Sequence, residues 1–422
     1  MKERSASVLG IVAALVLAAA AAGNLAAEKA AGTGGKAAAE KTPGKAGATA
    51  AVAASNNDFA FDLYGRLAKE KGNLFFSPAS LSTALAMTYA GARGATAGEM
   101  KKTLRFTLEG KGLHAGFGML VKALAIKKKG CSLFVANALW GQKGYKFLSG
   151  FLKLVKKSYG AGLQPVDFKG ATEEARKAIN DWTMKQTKEK IKDLLKPGIL
   201  TAETRLVLTN AIYFKGMWKA PFDKADTAGE NFKTLEGKTV VADMMHMRGK
   251  KLNYMKGDGF SVLELPYAAG EVSMVIFLPD KADGLAEYEK MADRPNMEQL
   301  IAGMEKTEME DVAIPRFTVT REFSLSSVLG AMGMPTAFTQ AADFSGIDGT
   351  NDLYISAVIH KAFVEVNEEG TQAAAATAVV VTLKGMSMKP SFRADHPFMF
   401  VILHRKTGAL LFIGRVADPT AA

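Results

Sequence analysis

The chain has 422 residues, of which 48% are hydrophobic and 23% charged, so its composition supports a well-packed globular body. Its length alone suggests two or three domains. The formal charge of +12 favours polyanions as partners. Part of this charge lies in solvated segments, so it does not identify a particular partner. The only cysteine, Cys131, excludes an internal disulfide, so the fold must be held by its core.

The N-terminus has the pattern of a secretory signal. A basic start precedes an apolar stretch from Val8 to Ala22, and small residues follow it. Cleavage near Ala22 or Ala27 would remove a signal peptide, residues 1–27, from an exported protein that is secreted or periplasmic. The alternative is an uncleaved membrane anchor. No other apolar run reaches the roughly 18 residues of a membrane span, so we expect no span after signal removal.

The next segment, residues 28–55, consists almost entirely of Ala, Gly, Lys and Thr. It has hardly any large apolar side chains to bury, so the sequence predicts a disordered tether. The structured body is therefore expected to span residues 56–419.

Helical and strand-like patterns alternate through this body. Apolar residues recur at helical spacing from Phe59 to Leu67, and Pro78 stands in the first turn of a second apolar helix that runs to Ala92. The run from Leu206 to Phe214 is too continuously apolar for a half-exposed strand and indicates one buried on both faces. A further strand is predicted at Ala357–Val366.

Two further apolar segments indicate strand pairs: residues 262–278, and a hairpin over residues 398–416. No internal repeat and no βαβ series is present, so the pattern predicts an α+β fold.

Motifs for enzyme chemistry are missing from the sequence. It contains no Gly-x-Ser-x-Gly elbow, no Walker loop and no His-Glu-x-x-His. The five histidines are scattered singly: His114, His246, His360, His396 and His404. We therefore expect neither an enzyme nor a metal or cofactor site.

One segment near the C-terminus has an unusual composition. From Thr371 to Leu383 it contains no charged residue, no Pro and no Gly. One interpretation is a core element, an Ala-rich helix that leads into a Val strand. The other is a strand whose two faces carry only small or β-branched uncharged side chains, so that it could enter the middle of a sheet without burying a charge.

The residues from Asn367 to Val380 resemble the hinge and reactive-centre loop of the inhibitory serpins, antithrombin among them. Six more segments resemble serpin signatures in family order, so the resemblance covers about residues 56–419. They are Asn73-Leu-Phe-Phe-Ser-Pro-Ala-Ser, Asn210-Ala-Ile-Tyr-Phe-Lys-Gly-Met-Trp, Glu264-Leu-Pro-Tyr, Pro315-Arg-Phe, Leu353-Tyr-Ile-Ser-Ala-Val-Ile-His-Lys-Ala and Phe392-Arg-Ala-Asp-His-Pro-Phe.

This resemblance implies one domain with the serpin fold: a large central β-sheet A, two further sheets, about nine helices and an exposed reactive-centre loop. It also implies an irreversible suicide inhibitor of serine proteases. A protease would cleave the loop, become trapped as an acyl-enzyme, and be displaced as the loop inserts between the 206–214 and 357–366 strands. The alternative is a serpin-fold binding or carrier protein that does not inhibit.

The resemblance also assigns roles to residues. It places the reactive bond at Lys384–Gly385, which would suit a trypsin-like enzyme, with Leu383, Met386 and Lys389 as rival positions. The hinge would comprise Glu369, Gly370, Thr371, Gln372, Ala373, Ala374, Ala375 and Ala376.

Two clusters would control the opening of the sheet: a polar shutter of Ser77, Ser80, Asn210 and His360, and a breach marked by Trp218. For each of these residues the alternative is ordinary core packing. Lys127, Lys128 and Lys129 follow the helix that binds heparin in some serpins, although a solvated face is the simpler interpretation. The implied partners are a protease in covalent complex and, at these lysines, a polyanion such as heparin. Neither a specific nucleic acid nor a second copy of the chain is implied.

Overall fold

The computed structural model describes residues 44–128, 130–160, 162–371 and 389–421. The predicted signal peptide and residues 28–43 of the predicted tether lie outside the described residues. So do Lys129, the hinge residues Gln372 to Ala376, and both residues of the predicted reactive bond, Lys384 and Gly385.

Ten α-helices lie within the described part of the chain, close to the nine expected. They are α1 (Lys45–Leu67), α2 (Pro78–Tyr89), α3 (Gly94–Thr103), α4 (Gly110–Leu124), α5 (Ser149–Tyr159), α6 (Thr172–Gln186), α7 (Leu285–Met291), α8 (Arg294–Ala302), α9 (Ser326–Met332) and α10 (Ser345–Asp348). None of these described helices combines the length and the apolar character that a membrane crossing needs.

The described residues also form eighteen strands. They are β1 (Leu74–Phe76), β2 (Lys127–Lys128), β3 (Cys131–Gln142), β4 (Leu163–Val166), β5 (Leu206–Met217), β6 (Ala228–Lys233), β7 (Thr239–Arg248), β8 (Lys251–Lys256), β9 (Phe260–Pro266), β10 (Val272–Pro279), β11 (Glu305–Glu308), β12 (Asp311–Pro315), β13 (Phe317–Ser324), β14 (Ala357–Val366), β15 (Gly370–Thr371), β16 (Phe392–Arg393), β17 (Phe398–His404) and β18 (Leu410–Val416).

Three sheets organise these strands. Sheet A has the order β13-β14-β5-β3-β2, with β15 beside β5 and β4 beside β3. Sheet B has the order β1-β18-β17-β10-β9-β8-β11, and sheet C has the order β16-β12-β7-β6. The predicted 398–416 hairpin is the β17–β18 pair of sheet B, and β9 and β10 form the predicted pair in residues 262–278.

Strand β5 is the centre of sheet A and is buried on both faces, as its continuous apolar run predicts. Leu208 and Ile212 belong to the large core between the sheets, whereas Val207 and Ala211 belong to a second, smaller core on the opposite face. Because both faces are dry, polar groups in β5 need partners inside the sheet.

Strands β5 and β14 are hydrogen-bonded neighbours rather than the rims of an open gap. They pair in parallel from Val207 opposite Ala357 to Tyr213 opposite Phe363. Above that point the pairing ends, and β15 takes over the free edge of β5. A strand that enters between β5 and β14 must therefore part this ladder.

The predicted tether boundary at residue 55 is wrong, because α1 begins at Lys45. Ala48, Val52 and Ala53 are buried, and α1 lies so close to α4 that a Cβ at Gly116 would stand 2.8 Å from the Ala48 carbonyl oxygen. Alanine has the highest helix propensity, and a single buried valine gives this extension an apolar contact. Composition alone pointed to disorder because such small side chains pack only where a glycine lets two helices approach.

The burial of Val52 at the contact between α1 and α4 predicts the effect of shortening its side chain. Val52→Ala should lower the free energy of unfolding by about 1–3 kcal/mol, since it removes buried apolar surface. Ala50→Ser, at an exposed position of the same helix, should stay within about 0.5 kcal/mol of the wild type. Denaturant unfolding measures both, and equal stabilities of the two variants would contradict the packing of this segment.

Candidate functional site

The hinge lies at the end of sheet A where β5 and β14 separate. After β14 the chain turns tightly, with the Asn367 N–H donating to the Gly370 carbonyl (2.9 Å) and the Gly370 N–H to the Asn367 carbonyl (3.1 Å). Strand β15 then runs antiparallel to β5, with Thr371 opposite Gly216. Because β3 holds the other edge of β5 at Gly216, β15 lies on the side that faces β14. The first two residues of a strand between β5 and β14 are thus already in place.

Gly370 is required by the close approach of two backbones. Its φ is +135°, and a Cβ there would stand 2.1 Å from the Gly216 carbonyl oxygen. Any side chain would push β15 away from β5.

Thr371 is completely buried beneath this turn. Its Oγ1 lies 3.1 Å from the hydroxyl of Tyr267, and the Tyr267 ring stacks on Trp218 with centroids 4.5 Å apart. Burial raises the pKa of Tyr267, so its hydroxyl stays neutral and can donate or accept. The indole N–H of Trp218, the predicted breach residue, donates to the Asn367 carbonyl (3.0 Å). Sequence reasoning missed Tyr267, although it belongs to the quoted Glu264-Leu-Pro-Tyr signature.

Two acidic residues of the turn are held by cations from other elements. Glu369 pairs with Lys224 (Oε1 to Nζ, 2.6 Å). The Glu368 carboxylate, whose side chain is 3% exposed, accepts hydrogen bonds from Arg316 and from Thr227 Oγ1 (2.7 Å). Burial alone would raise the pKa of Glu368, but these hydrogen bonds outweigh it and lower the pKa below its usual value. The ionised carboxylate of Glu368 therefore anchors the turn to Arg316.

The structure brings the four predicted shutter residues together and adds a fifth. The Ser77 N–H donates to His360 Nε2 (3.1 Å), and His360 Nδ1 lies 2.5 Å from Asn210 Oδ1. The Asn210 amide donates to Ser80 Oγ (2.7 Å) and to Asn137 Oδ1 (2.6 Å). Asn137, on β3, was missed because nothing around it in the sequence marks it as polar core.

This network links helix α2 to the three central strands of sheet A. Burial lowers the pKa of His360 to about 3, so the ring is neutral and Nδ1 is the protonated nitrogen that donates to Asn210. The bond between His360 on β14 and Asn210 on β5 crosses the boundary that an entering strand must open. Ser77 Oγ donates to the Leu411 carbonyl (2.6 Å), so it stays tied to sheet B.

The predicted polyanion site falls on the short strand β2. Lys127 and Lys128 are exposed, and Lys128 Nζ pairs with Glu271 Oε1 at 2.7 Å. A polyanion would compete with that carboxylate for Lys128.

Comparisons with known proteins agree with this geometry. The family model described as "Serpin (serine protease inhibitor)" matches residues 54–419. The chain belongs to the serpin family. Leukocyte elastase inhibitor A of Rattus norvegicus is 42% identical over 377 residues, which cover 87% of this chain and 99% of the relative. Serpin B8 of Bos taurus is 41% identical over 373 residues, 87% of this chain and all of the relative.

Among solved structures, uncleaved ovalbumin superposes with a TM-score of 0.79 at 31% identity, covering 87% of this serpin and 100% of that chain. The predicted family and the predicted α+β fold with three sheets are thus confirmed. The matching family is described as serine protease inhibitors, so the expectation that this serpin is not an enzyme is confirmed as well.

The prediction of an exported protein, secreted or periplasmic, is wrong. Leukocyte elastase inhibitor and serpin B8 are intracellular serpins of clade B. The apolar stretch near the N-terminus misled because hydrophobic periodicity and small residues alone do not separate a processed signal from other Ala-rich leaders.

The pairing of Glu368 with Arg316 predicts how stability depends on pH. Because the pKa of Glu368 is lowered in the folded state, its stabilisation is complete above its unfolded value near 4.5 and is lost as pH falls through the folded value. Glu368→Gln should therefore lower stability by about 1–3 kcal/mol at neutral pH, and this difference should shrink below about pH 4.5.

Asp243→Asn supplies the matched control, since Asp243 is the exposed second partner of Arg316 (3.1 Å). It should change stability by less than about 1 kcal/mol. Thermal unfolding across the pH range measures both variants; a constant gap between wild type and Glu368→Gln would contradict the ionised anchor.

Proposed function

We propose that this serpin is an irreversible suicide inhibitor of serine proteases, which acts by loop cleavage, acyl-enzyme trapping and insertion of the loop into sheet A. The observation that carries the proposal is the seating of Thr371 against β5 beneath Tyr267. This contact supplies a nucleus to which each following residue can add one pair of backbone hydrogen bonds.

The composition beyond Thr371 supports continued insertion. In the register of β15, Ala373 and Ala375 would follow Thr371 toward the large core, and Gln372, Ala374 and Ala376 would face the other side. None of these side chains carries a charge or much bulk, so each can enter without a large desolvation penalty. Backbone hydrogen bonds at roughly 0.5–1.5 kcal/mol each favour the inserted state.

The target class rests on the residue before the reactive bond. Lys384–Gly385 remains our proposed bond, and a lysine at that position suits the acidic specificity pocket of trypsin-like enzymes. Several relatives are named for inhibition of leukocyte elastase, which favours a second candidate with cleavage after Leu383 or Met386. Neither a monomeric state nor activation by a polyanion at Lys127–Lys129 is required for this mechanism.

Incubation with trypsin and with leukocyte elastase tests the proposal. We expect a protease complex that survives denaturing electrophoresis with trypsin, and a released C-terminal fragment that begins at Gly385. A fragment that begins at another residue would assign the reactive bond to that position instead. Cleavage by both enzymes without any covalent complex, and without a rise in melting temperature, would favour the alternative of a non-inhibitory carrier or binding protein.

The burial of Thr371 predicts the effect of a charge at the hinge. Thr371→Arg would force a guanidinium against Tyr267 in the core, so insertion should stall and the variant should be cleaved as a substrate. Thr371→Ser keeps the hydroxyl and should inhibit like the wild type. The ratio of complexed to cleaved serpin on a gel measures this. An arginine variant that forms complexes as completely as Thr371→Ser would refute the insertion step.

A further inference from the structure

The strand that follows the reactive segment is short and lightly attached. Strand β16 pairs in parallel with β12 through two residues only, Phe392 opposite Val312 and Arg393 opposite Ala313. One backbone bond on either side extends this contact, from the Glu310 N–H to the Pro390 carbonyl (2.9 Å) and from the Ala394 N–H to the Ala313 carbonyl (2.9 Å). So few backbone bonds make side chains important for holding β16.

Arg393 is the side chain that ties β16 to the rest of sheet C. Its guanidinium hydrogen-bonds to the Glu230 carboxylate on β6 and, through Nε, to Asp395 Oδ2 (3.0 Å). Glu230 lies two strands away from β12 in the sheet order. The pair therefore spans sheet C rather than linking neighbours.

His246 on β7 holds Glu230 in this position. Its Nε2 lies 2.9 Å from Glu230 Oε1, and its Nδ1 lies 2.7 Å from Asp311 Oδ2 on β12. The two ring nitrogens thus contact a carboxylate on either side. The residue is only 7% exposed, which shields these contacts from water. The result is a row of polar contacts that runs through Asp311, His246, Glu230, Arg393 and Asp395.

Strand β16 lies at the same end of sheet A as the hinge, so the row holds the far end of the reactive segment near the place where insertion would begin. Strand β12 ends at Pro315, and β13 begins two residues later with Phe317 opposite Val366, at the hinge end of sheet A. Both ends of the uncleaved segment, β15 and β16, are therefore fixed at one end of sheet A. A strand that runs along β5 from Gly216 to Val207 covers about 30 Å. An uncleaved segment that inserted this far would then have to run back the same distance to reach β16, unless β16 detached from β12.

We propose that His246 is a positioning residue that holds Glu230 against Arg393 and thereby keeps β16 on β12 until a protease cuts the reactive segment. This inference rests on the proposed function, because it concerns the far end of the segment that inserts. Loss of the row would let β16 peel away, so that the intact segment inserts and the inhibitor becomes inactive without cleavage.

Other titratable and charged groups face the same row. Arg248, opposite Asp311 in the β7–β12 register, is paired with Asp226 (2.8 Å), and His396 Nδ1 lies 2.8 Å from Asp395 Oδ1. A variant of His246 alone therefore leaves these neighbouring pairs in place.

The test follows the inhibitory activity of purified, uncleaved full-length serpin during incubation at 37 °C. Glu230→Gln and His246→Gln should inhibit like the wild type when fresh, but lose activity about tenfold faster, which corresponds to about 1.4 kcal/mol of lost anchoring. Electrophoresis should show an intact chain with raised heat resistance. Arg105→Gln breaks a comparable exposed pair with Asp62 (2.6 Å), remote from β16 in the sequence, and should keep the wild-type rate.

The order of the rates separates positioning from general stability. Glu230→Gln removes the carboxylate that binds Arg393, so it should lose activity at least as fast as His246→Gln, which only frees that carboxylate to move. A His246→Gln variant that keeps the wild-type rate would overturn the role of His246. Equal rates for all variants would overturn the inference while leaving the proposed function intact. Fresh wild type that forms no protease complex would instead remove the proposed function itself.

Discussion

The ladder between β5 and β14 is the constraint on which the rest of the structure depends. These strands pair in parallel over seven residues and cannot accept a new strand without giving up that pairing. Their separation near the hinge is therefore the one place where insertion can begin without first breaking sheet A. The described residues of the predicted hinge, breach and shutter all lie along this boundary, either at its open end or in the core beneath it.

The two ends of the boundary are controlled by different chemistry. At the open end, Thr371, Tyr267 and Trp218 form a neutral, buried contact, from which the proposed insertion would start. Further along, the bond between His360 and Asn210 ties β14 to β5 and must find new partners as the strands part. Because burial lowers the pKa of His360 to about 3, this bond keeps its protonation state near neutral pH.

Much of this arrangement could be predicted from the sequence, and the reasons are local. The continuous apolar run of β5, the uncharged stretch after Thr371 and the signatures around Ser77 and Asn210 each lie within a short segment. What escaped prediction depends on contacts between distant segments. Asn137 is recognisable as part of the shutter only once β3 lies beside β5. The first turns of α1 pack against α4 at Gly116, a residue far along the chain whose lack of a side chain lets the two helices approach. Similarly, no local pattern around His246 indicates that Asp311 and Glu230 lie on either side of its ring.

The attachment of the reactive segment is asymmetric, and this asymmetry gives the mechanism its direction. The hinge end is bound by buried backbone pairs, by a stacked aromatic core and by the ion pairs of Glu368 and Glu369, whose carboxylates are shielded from water. The β16 end is bound by two backbone residue pairs and by a partly exposed row of polar contacts, which salt can weaken. A cut within the segment removes the need for the second attachment at once, so insertion can proceed from the hinge with β16 still in place. Without a cut, the same insertion must break the row first. In the proposed mechanism, the strength of the row around Glu230 and Arg393 therefore decides how strictly insertion depends on proteolysis.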